Sequence, residues 1–213
     1  MITEIRQLTL EEAATLVGWA KNEGWNPGLH DAGAKAAVIA CFDDTGLDAA
    51  RTLSGVPVIG ICEAAVATAA FIAQRFTVVT TTERSRLPVE HLVHRYGMGA
   101  RAKVRAADIP VLSLEDPVSD ALPRLRAEIA AALLEDRAEA IVLGCAGMAD
   151  LAARLSKEFG VPVIDGVSAA VKHAETLVSL GLTTAKRGAY ATPIDKPYVG
   201  LMDNFAPARL LTS

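Results

Sequence analysis

The sequence predicts an α/β protein made of two pseudo-symmetric units, each a parallel sheet covered by helices, with the first unit truncated at its N-terminus. Three observations predict this fold. Half of the 213 residues are hydrophobic and only 5% are aromatic, a composition typical of a buried parallel sheet with helical cover. Short β-branched runs alternate with alanine-rich amphipathic segments. One sequence pattern also occurs twice along the chain.

Each copy of the repeated pattern is a strand ending in cysteine, a helical stretch, a Gly-Val-Pro-Val-Ile run and a pair of alanines. The first repeat runs from Ala37 to Ala65, and the second repeat runs from Ile141 to Ala170. Cys41 and Cys145 occupy equivalent places in the two repeats. Because duplicated α/β units tend to pack about a pseudo-two-fold axis, we expect the two thiols on opposite sides of one cleft.

The secondary-structure elements follow from local periodicity. Strands are expected over 36–41, 56–61, 76–81, 103–112, 139–144 and 161–164. Helices are expected over 10–23, 46–54, 62–74, 86–96, 118–135, 148–159 and 167–180. A capping box from Thr9 to Glu12 begins the first helix, and Gly24 can end it. The alternation of strands and helices predicts parallel sheets with right-handed crossovers.

The place of the second repeat predicts two domains. Residues 76–181 contain this repeat and two further strand–helix units before it, which is enough for a four-stranded unit. The first unit is then 1–75 together with 182–213, because the tail from Leu182 can return to complete it. Since only residues 1–35 precede the first repeat, about one strand–helix unit is missing there, and the first 33 or so residues are atypical.

Composition and charge exclude several classes of partner. The net charge is −4, and neither a basic stripe nor a cationic amphipathic helix is present, so we expect no nucleic-acid or membrane partner. No apolar run is long enough to span a bilayer, and the start lacks the layout of a signal peptide. Three cysteines in a chain of this size indicate reduced thiols and a cytoplasmic location. We expect a small-molecule substrate.

Cys41 and Cys145 each lie where a strand ends and a helix is about to begin, which is the edge where doubly wound folds bind ligands. Backbone N–H groups at a helix start favour thiolate and can stabilise a carbonyl oxygen that gains negative charge. Gly144, Ala146 and Gly147 flank Cys145 with little side-chain bulk, so the backbone can approach a ligand closely. The alternative is that both cysteines are merely buried strand-end residues.

Polar residues near these strand ends have two interpretations. Asp43 and Asp44 can hydrogen-bond a polar ligand, or they can cap the helix that begins near Gly46. Thr80 and Thr81 follow the third strand, where their hydroxyls can bind ligand carbonyl or amide groups or form part of a helix cap.

The third cysteine, Cys62, opens a predicted helix, and Val167 takes the equivalent place in the second repeat. A packing role is therefore expected for Cys62. His91 and His94 have no Cys, Asp or Glu cluster in the sequence beside them, so no metal site is predicted there.

These motifs resemble the aspartate/glutamate racemase superfamily and, within it, the hydantoin and allantoin racemases. The resemblance extends from about residue 34 to residue 200, and its segments are Ala40–Leu47, Pro57–Ala65, Phe76–Thr81, Gly144–Met148 and Lys186–Tyr190. Ala146-Gly147 stands where glutamate racemases usually have Thr-His, which favours the hydantoin racemases.

The resemblance implies a cofactor-independent racemase of 5-substituted hydantoins or of allantoin. Cys41 and Cys145 match the two cysteines that exchange a proton at C5 of the ring. The candidate substrate-binding residues are Phe42, Asp43, Thr80, Thr81, Gly144, Ala146 and Gly147. The resemblance also implies a homo-oligomer and no metal.

The opening of the chain departs from this family, which begins with a strand and an Asn-Pro-Asn-Thr loop that helps to line the pocket. Residues 2–31, including Trp25-Asn26-Pro27-Gly28, instead resemble the start of a GCN5-related acetyltransferase without its coenzyme A loop, so acetyl transfer is not inferred.

Two alternatives to the racemase remain open. One is a malonate-type decarboxylase of the same superfamily, which needs only the second cysteine, and the other is an inactive, rearranged racemase fragment.

Overall fold

The structure is a computed structural model that describes residues 34–114, 116, 118–194 and 199–200. The chain divides into two compact units, one formed by residues 35–191 and the other by 1–34 with 192–213. The architecture given below is that of the unit 35–191. The helix expected at 10–23 and the acetyltransferase-like opening lie outside the described residues.

Strands and helices alternate through this unit. The strands are β1 (Ala37–Ile39), β2 (Val58–Gly60), β3 (Phe76–Thr80), β4 (Ala102–Ala106), β5 (Ala140–Gly144) and β6 (Val163–Asp165). The α-helices are α1 (Leu47–Leu53), α2 (Ile61–Ile72), α3 (Glu83–Arg95), α4 (Ala121–Glu135), α5 (Ala152–Phe159) and α6 (Gly166–Ser179). Short 3-10 helices cover Val111–Leu114, Ala146–Leu151 and Gly188–Tyr190.

The described strands form two parallel sheets. β1 pairs with β2 in a two-stranded sheet, and the other strands form a four-stranded sheet in the order β4-β3-β5-β6. The predicted parallel α/β fold is confirmed. All four strands of the larger sheet fall within residues 76–181, while the domain boundaries at 75/76 and 181/182 stay a prediction.

Two element boundaries differ from the sequence-based expectation by four residues or more. The strand expected at 103–112 ends at Ala106, because Asp108 has a φ of 52° and Pro110 has no N–H to continue a ladder. The helix expected at 148–159 begins instead as the 3-10 helix Ala146–Leu151 and becomes α-helical at Ala152.

The apolar core is divided by the four-stranded sheet into two clusters. Successive residues of β3 and β5 point to opposite faces, so Val78 and Val142 lie in one cluster and Val79 and Leu143 in the other. The first cluster also contains Phe42, Ile59, Ile61 and Ile164, which come from both repeats. We call it the inter-repeat cluster, because it joins the two sheets through one apolar body.

The equivalent helices of the two repeats, α2 and α6, pack directly against each other. Their first residues approach so closely that an ideal Cβ on Gly166 would lie 2.5 Å from the carbonyl oxygen of Ile61. Only glycine fits at this position without displacing backbone. The pairing of equivalent helices agrees with a pseudo-symmetric arrangement of the repeats.

In the part of the chain that the structure describes, no helix is long and apolar enough to cross a membrane.

Candidate active site

Both repeat cysteines lie at the carboxyl ends of parallel strands, as the sequence predicts. Cys41 follows β1 and is exposed, while Cys145 comes directly after β5 and is partly exposed. The cysteine that is fully buried is Cys62. The alternative in which both repeat cysteines are buried is therefore wrong, while their catalytic role stays a prediction.

The residues that directly follow Cys41 and Cys145 both contact the inter-repeat cluster. Phe42 is 5% exposed and belongs to the inter-repeat cluster, and Ala146 packs against that cluster. The side chain of Phe42 thus anchors the turn that contains Cys41. The turn with Cys41 and the turn with Cys145 are held by one continuous set of side chains.

The ends of β3 and β5 lie side by side next to Cys145. Thr80 is the register partner of Gly144, and its hydroxyl donates to the carbonyl oxygen of Gly144 at 3.2 Å. An ideal Cβ on Gly144 would lie 2.9 Å from the Cα of Thr80, so a side chain does not fit there. Thr81 is buried, and its carbonyl oxygen accepts the N–H of Ile109 at 2.8 Å. The structure therefore brings Thr80, Thr81 and Gly144 to one sheet edge.

The backbone directly after Cys145 is accessible at Gly147. Ala146 and Gly147 form the first turn of a 3-10 helix, whose leading N–H groups have no partner within the helix. Gly147 is exposed, and an ideal Cβ there would lie 3.9 Å from the Sγ of Cys145 and 3.8 Å from the Cδ1 of Leu114. These N–H groups can bind an oxygen that gains negative charge.

The two aspartates after Cys41 differ in environment. Asp43 is exposed, and its substrate-binding role stays a prediction. Asp44 is buried, and its carboxylate accepts the N–H groups of Cys62 and Glu63 at 3.1 and 3.0 Å. Asp44 thus caps α2, which is neither of the two roles that the sequence suggested for it, a ligand contact or a cap on the helix near Gly46. Burial raises the pKa of Asp44 above its usual 3.8, against the opposing effect of its hydrogen bonds.

The environment of Cys62 agrees with the packing role expected for it. Burial raises the pKa of the Cys62 thiol, and the negative charges of Asp44, Asp43 and Glu63 raise it further. A protonated thiol within the inter-repeat cluster is a small apolar group, not a base.

Sequence reasoning missed Tyr96, which directly follows α3. Its hydroxyl donates to the Oδ2 of Asp44 at 2.7 Å, and both burial and this hydrogen bond raise the pKa of the phenol. No spacing in the sequence indicates this contact, because the two residues are far apart in the chain and meet only after the sheets pack.

A cavity of about 330 Å³, lined by both apolar and polar side chains, lies along α2 and α6 and was also not predicted. The hydroxyl of Thr68 and the Nε2 of His173 are 3.1 Å apart at its wall, and Asp165, Ser168 and Lys172 also line it. Neither repeat cysteine is among its lining residues.

Comparison with protein families matches residues 5–174 to the family described as Asp/Glu/hydantoin racemase. The match begins well before residue 34, where the quoted motifs begin. The chain is 54% identical over 169 residues to hydantoin racemase from Rhizobium meliloti, covering 79% of this chain and 70% of that protein.

Solved structures of racemases are also similar to this chain. Allantoin racemase from Klebsiella pneumoniae matches with a TM-score of 0.76 and 43% identity, over 92% of this chain and 77% of the other chain. A mutant of arylmalonate decarboxylase matches with a TM-score of 0.54 and 20% identity, over 85% and 81% of the two chains, which shows a shared fold alone.

Proposed function

The chain belongs to the Asp/Glu/hydantoin racemase family, and from this premise we propose that it racemises 5-substituted hydantoins or allantoin by two-base proton transfer between Cys41 and Cys145. The observation that carries the proposal is the placement of the two cysteines. Each follows the first strand of its repeat, each is accessible, and the residues after them contact one apolar cluster. The names of the similar racemases support the substrate class.

In the proposed reaction, the thiolate of one cysteine removes the C5 proton of the ring. The electron pair of the broken C–H bond spreads to the neighbouring carbonyl oxygen, and the N–H groups of Ala146 and Gly147 stabilise the negative charge there. The other cysteine then donates its thiol proton to the opposite face of C5. The two cysteines exchange roles for the other enantiomer, so no cofactor is needed.

The remaining candidate residues surround the ring in this proposal. The exposed carboxylate of Asp43 accepts a ring N–H, and Thr80 and Thr81, which are both buried at the end of β3, support the backbone beside Cys145. Because the side chain of Phe42 is buried, only its backbone faces the ligand. Small residues at positions 144, 146 and 147 leave room for the ring beside Cys145. Both thiols must stay reduced, as a cytoplasm keeps them.

Racemisation in heavy water tests the proposal. A single enantiomer of a 5-alkyl hydantoin, and separately of allantoin, is incubated with the parent and with Cys41→Ser and Cys145→Ser. We expect the inverted product to contain deuterium at C5, because the donating thiol exchanges with solvent. Each serine variant should lower the rate about 100-fold or more, the size of a general acid or base contribution.

The matched control is Cys62→Ala, which removes the buried third thiol and should leave the rate unchanged. If both serine variants racemise as fast as the parent, the two-thiol mechanism is wrong. Carbon dioxide release from an aryl malonate, retained in Cys41→Ser, would instead indicate the decarboxylase. An inactive fragment would turn over neither substrate, and hydantoin would not protect its thiols from alkylation.

We also propose that the protein forms a homo-oligomer. β4 and β6 are the outer strands of the four-stranded sheet, and outer strands have unpaired backbone groups that can pair with another subunit. Sedimentation of the full chain measures this, and a monomer at assay concentration would contradict it.

A further inference from the structure

The carboxylate of Asp44 connects separate parts of the unit 35–191. Asp44 is 5% exposed, and its Oδ1 accepts the N–H of Cys62 at 3.1 Å. Its Oδ2 accepts the N–H of Glu63 at 3.0 Å and the hydroxyl of Tyr96 at 2.7 Å. Both oxygens of this buried group therefore have donors, as a buried carboxylate requires.

The donors lie on segments that connect strands of both sheets of the unit. Cys62 and Glu63 lie in the first turn of α2, which directly follows β2 of the smaller sheet. Tyr96 follows α3, the helix after β3, and β3 is paired along its length with β5, which ends at Gly144, directly before Cys145. The carboxylate thus joins the turn that contains Cys41 to the connection between α3 and β4 of the larger sheet, in which β5 precedes Cys145.

Asp44 has little freedom to move within this turn. Its N–H donates to the carbonyl oxygen of Cys41 at 3.0 Å, and its own carbonyl accepts the N–H of Leu47 at 3.1 Å. Its φ of 46° lies in the left-handed region, which few non-glycine residues adopt. An ideal Cβ on Gly60 would lie 2.3 Å from the Asp44 carboxyl carbon, so the carboxylate packs directly on the backbone of β2. A shift of Asp44 therefore also shifts Cys41.

We propose that Asp44 is a positioning residue for Cys41 and that its hydrogen bond with Tyr96 sets the separation of the Cys41 and Cys145 thiols. This inference rests on the proposed function, because a two-thiol reaction depends on that separation. Proton transfer needs the reacting atoms within about 3.5 Å, and a misplacement of about 1 Å can lower the rate about 100-fold.

Tyr96→Phe is the sharpest variant, because it removes one hydroxyl and keeps the ring that packs against the inter-repeat cluster. The matched control is Tyr190→Phe, since the hydroxyl of Tyr190 donates to the exposed Asp48 at 3.2 Å. Asp44→Asn is the second variant, because it keeps the shape of the side chain but replaces one acceptor oxygen by a donor. For each variant, kcat, KM and deuterium uptake are measured from both enantiomers.

We expect Tyr96→Phe and Asp44→Asn to lower kcat about 10- to 100-fold with little change in KM. For the enantiomer whose C5 proton is removed by Cys145, we expect the ratio of deuterium in the recovered starting material to deuterium in the inverted product to rise. The reason is that Cys145 still removes the proton and can return a deuteron to the same face, whereas Cys41 is displaced from the opposite face. Tyr190→Phe should match the parent.

A purely structural role would lower exchange and inversion in the same proportion, and an unchanged ratio would therefore overturn the proposal. An equal effect of the two Tyr→Phe changes would overturn it as well. The exchange-to-inversion ratio does not depend on how well the variants fold, because it is independent of the active fraction, and the two Tyr→Phe changes are therefore compared by this ratio.

Alkylation separates failure of this inference from failure of the proposed function. If the parent racemises no hydantoin and no allantoin, the proposed function is wrong, but iodoacetamide labelling still reports on the surroundings of each thiol. We expect Tyr96→Phe to change the labelling rate of Cys41 about threefold or more, with Cys145 unchanged, because thiol reactivity follows local environment. Identical Cys41 rates in parent and variant would overturn the positioning role.

Discussion

Gly147 shows how one missing side chain shapes the surroundings of Cys145. The point where its Cβ would lie is within 4 Å of both the Cys145 sulfur and a methyl group of Leu114. When C5 of a hydantoin loses its proton, its substituent lies in the plane between the attacking and donating groups, close to both. An apolar wall suits that substituent better than it suits the ring amides, which need hydrogen-bond partners.

Gly147→Ala should narrow this space without damaging the fold. The added methyl would contact Leu114 and Cys145 at ordinary van der Waals distances of 3.8 and 3.9 Å, so unfolding free energy should change by less than about 1 kcal/mol. We expect kcat/KM to fall about tenfold for a 5-benzyl hydantoin relative to the 5-methyl compound, since one methyl group in a pocket has an effect of this size.

The comparison of the two substrates in one variant is its own control, because loss of active protein lowers both values equally. A substituent-independent change in kcat/KM would show that the space beside Gly147 does not receive the C5 group.

Among the described elements, the short helix α1 depends on a residue far along the chain. The ammonium of Lys186 donates to the carbonyl oxygens of Arg51, Thr52 and Ser54 at 3.0, 2.6 and 3.1 Å. These carbonyls lie at the C-terminal end of α1, where helical hydrogen bonds end and the helix dipole is negative. The Lys186 side chain therefore both caps α1 and attaches the described part of the tail to it.

Lys186→Met should lower the free energy of unfolding by about 1–3 kcal/mol, the range for lost hydrogen bonds to a charged group. The control is Lys172→Met, because Lys172 is exposed and pairs only with Glu175 on the same helix in the described structure. That change should cost less than about 0.5 kcal/mol. Urea unfolding followed by circular dichroism measures both, and equal losses would contradict the capping role of Lys186.

On the scale of the whole unit 35–191, the arrangement of the two repeats depends on the pairing of α2 with α6. The carbonyl of Ile61 and the backbone of Gly166 meet at the start of these equivalent helices. Both helices follow the second strand of their repeat, so this contact fixes the spacing of the repeats near their strand ends.

Gly166→Ala should therefore destabilise the unit. The added methyl would lie 2.5 Å from a backbone oxygen, and relief of this overlap requires the two helices to separate, at a cost of about 1–3 kcal/mol. Gly55→Ala is the control, because an ideal Cβ at Gly55 meets nothing within 4 Å. The melting temperature and the racemisation rate measure the effect, and a Gly166→Ala protein as stable as Gly55→Ala would contradict it.

The amino-acid sequence alone determined the alternation of strands and helices, the parallel sheets and the placement of Cys41 and Cys145 at strand ends. These features depend on hydrophobic periodicity and turn residues within short stretches of chain, which can be read without knowledge of distant contacts. The duplication added that the two cysteines are equivalent, and the role of Cys62 followed from the valine at its equivalent position.

Only the tertiary structure decided which helix Asp44 caps, that Tyr96 binds its carboxylate, and that Gly166 must lack a side chain. Each of these depends on a partner far away in the chain, and hydrophobic periodicity has no information about which distant backbone atoms will meet. The direction in which sheets and helices pack determines those contacts, because burying the apolar faces of both repeats in one cluster brings residues together that no spacing rule connects.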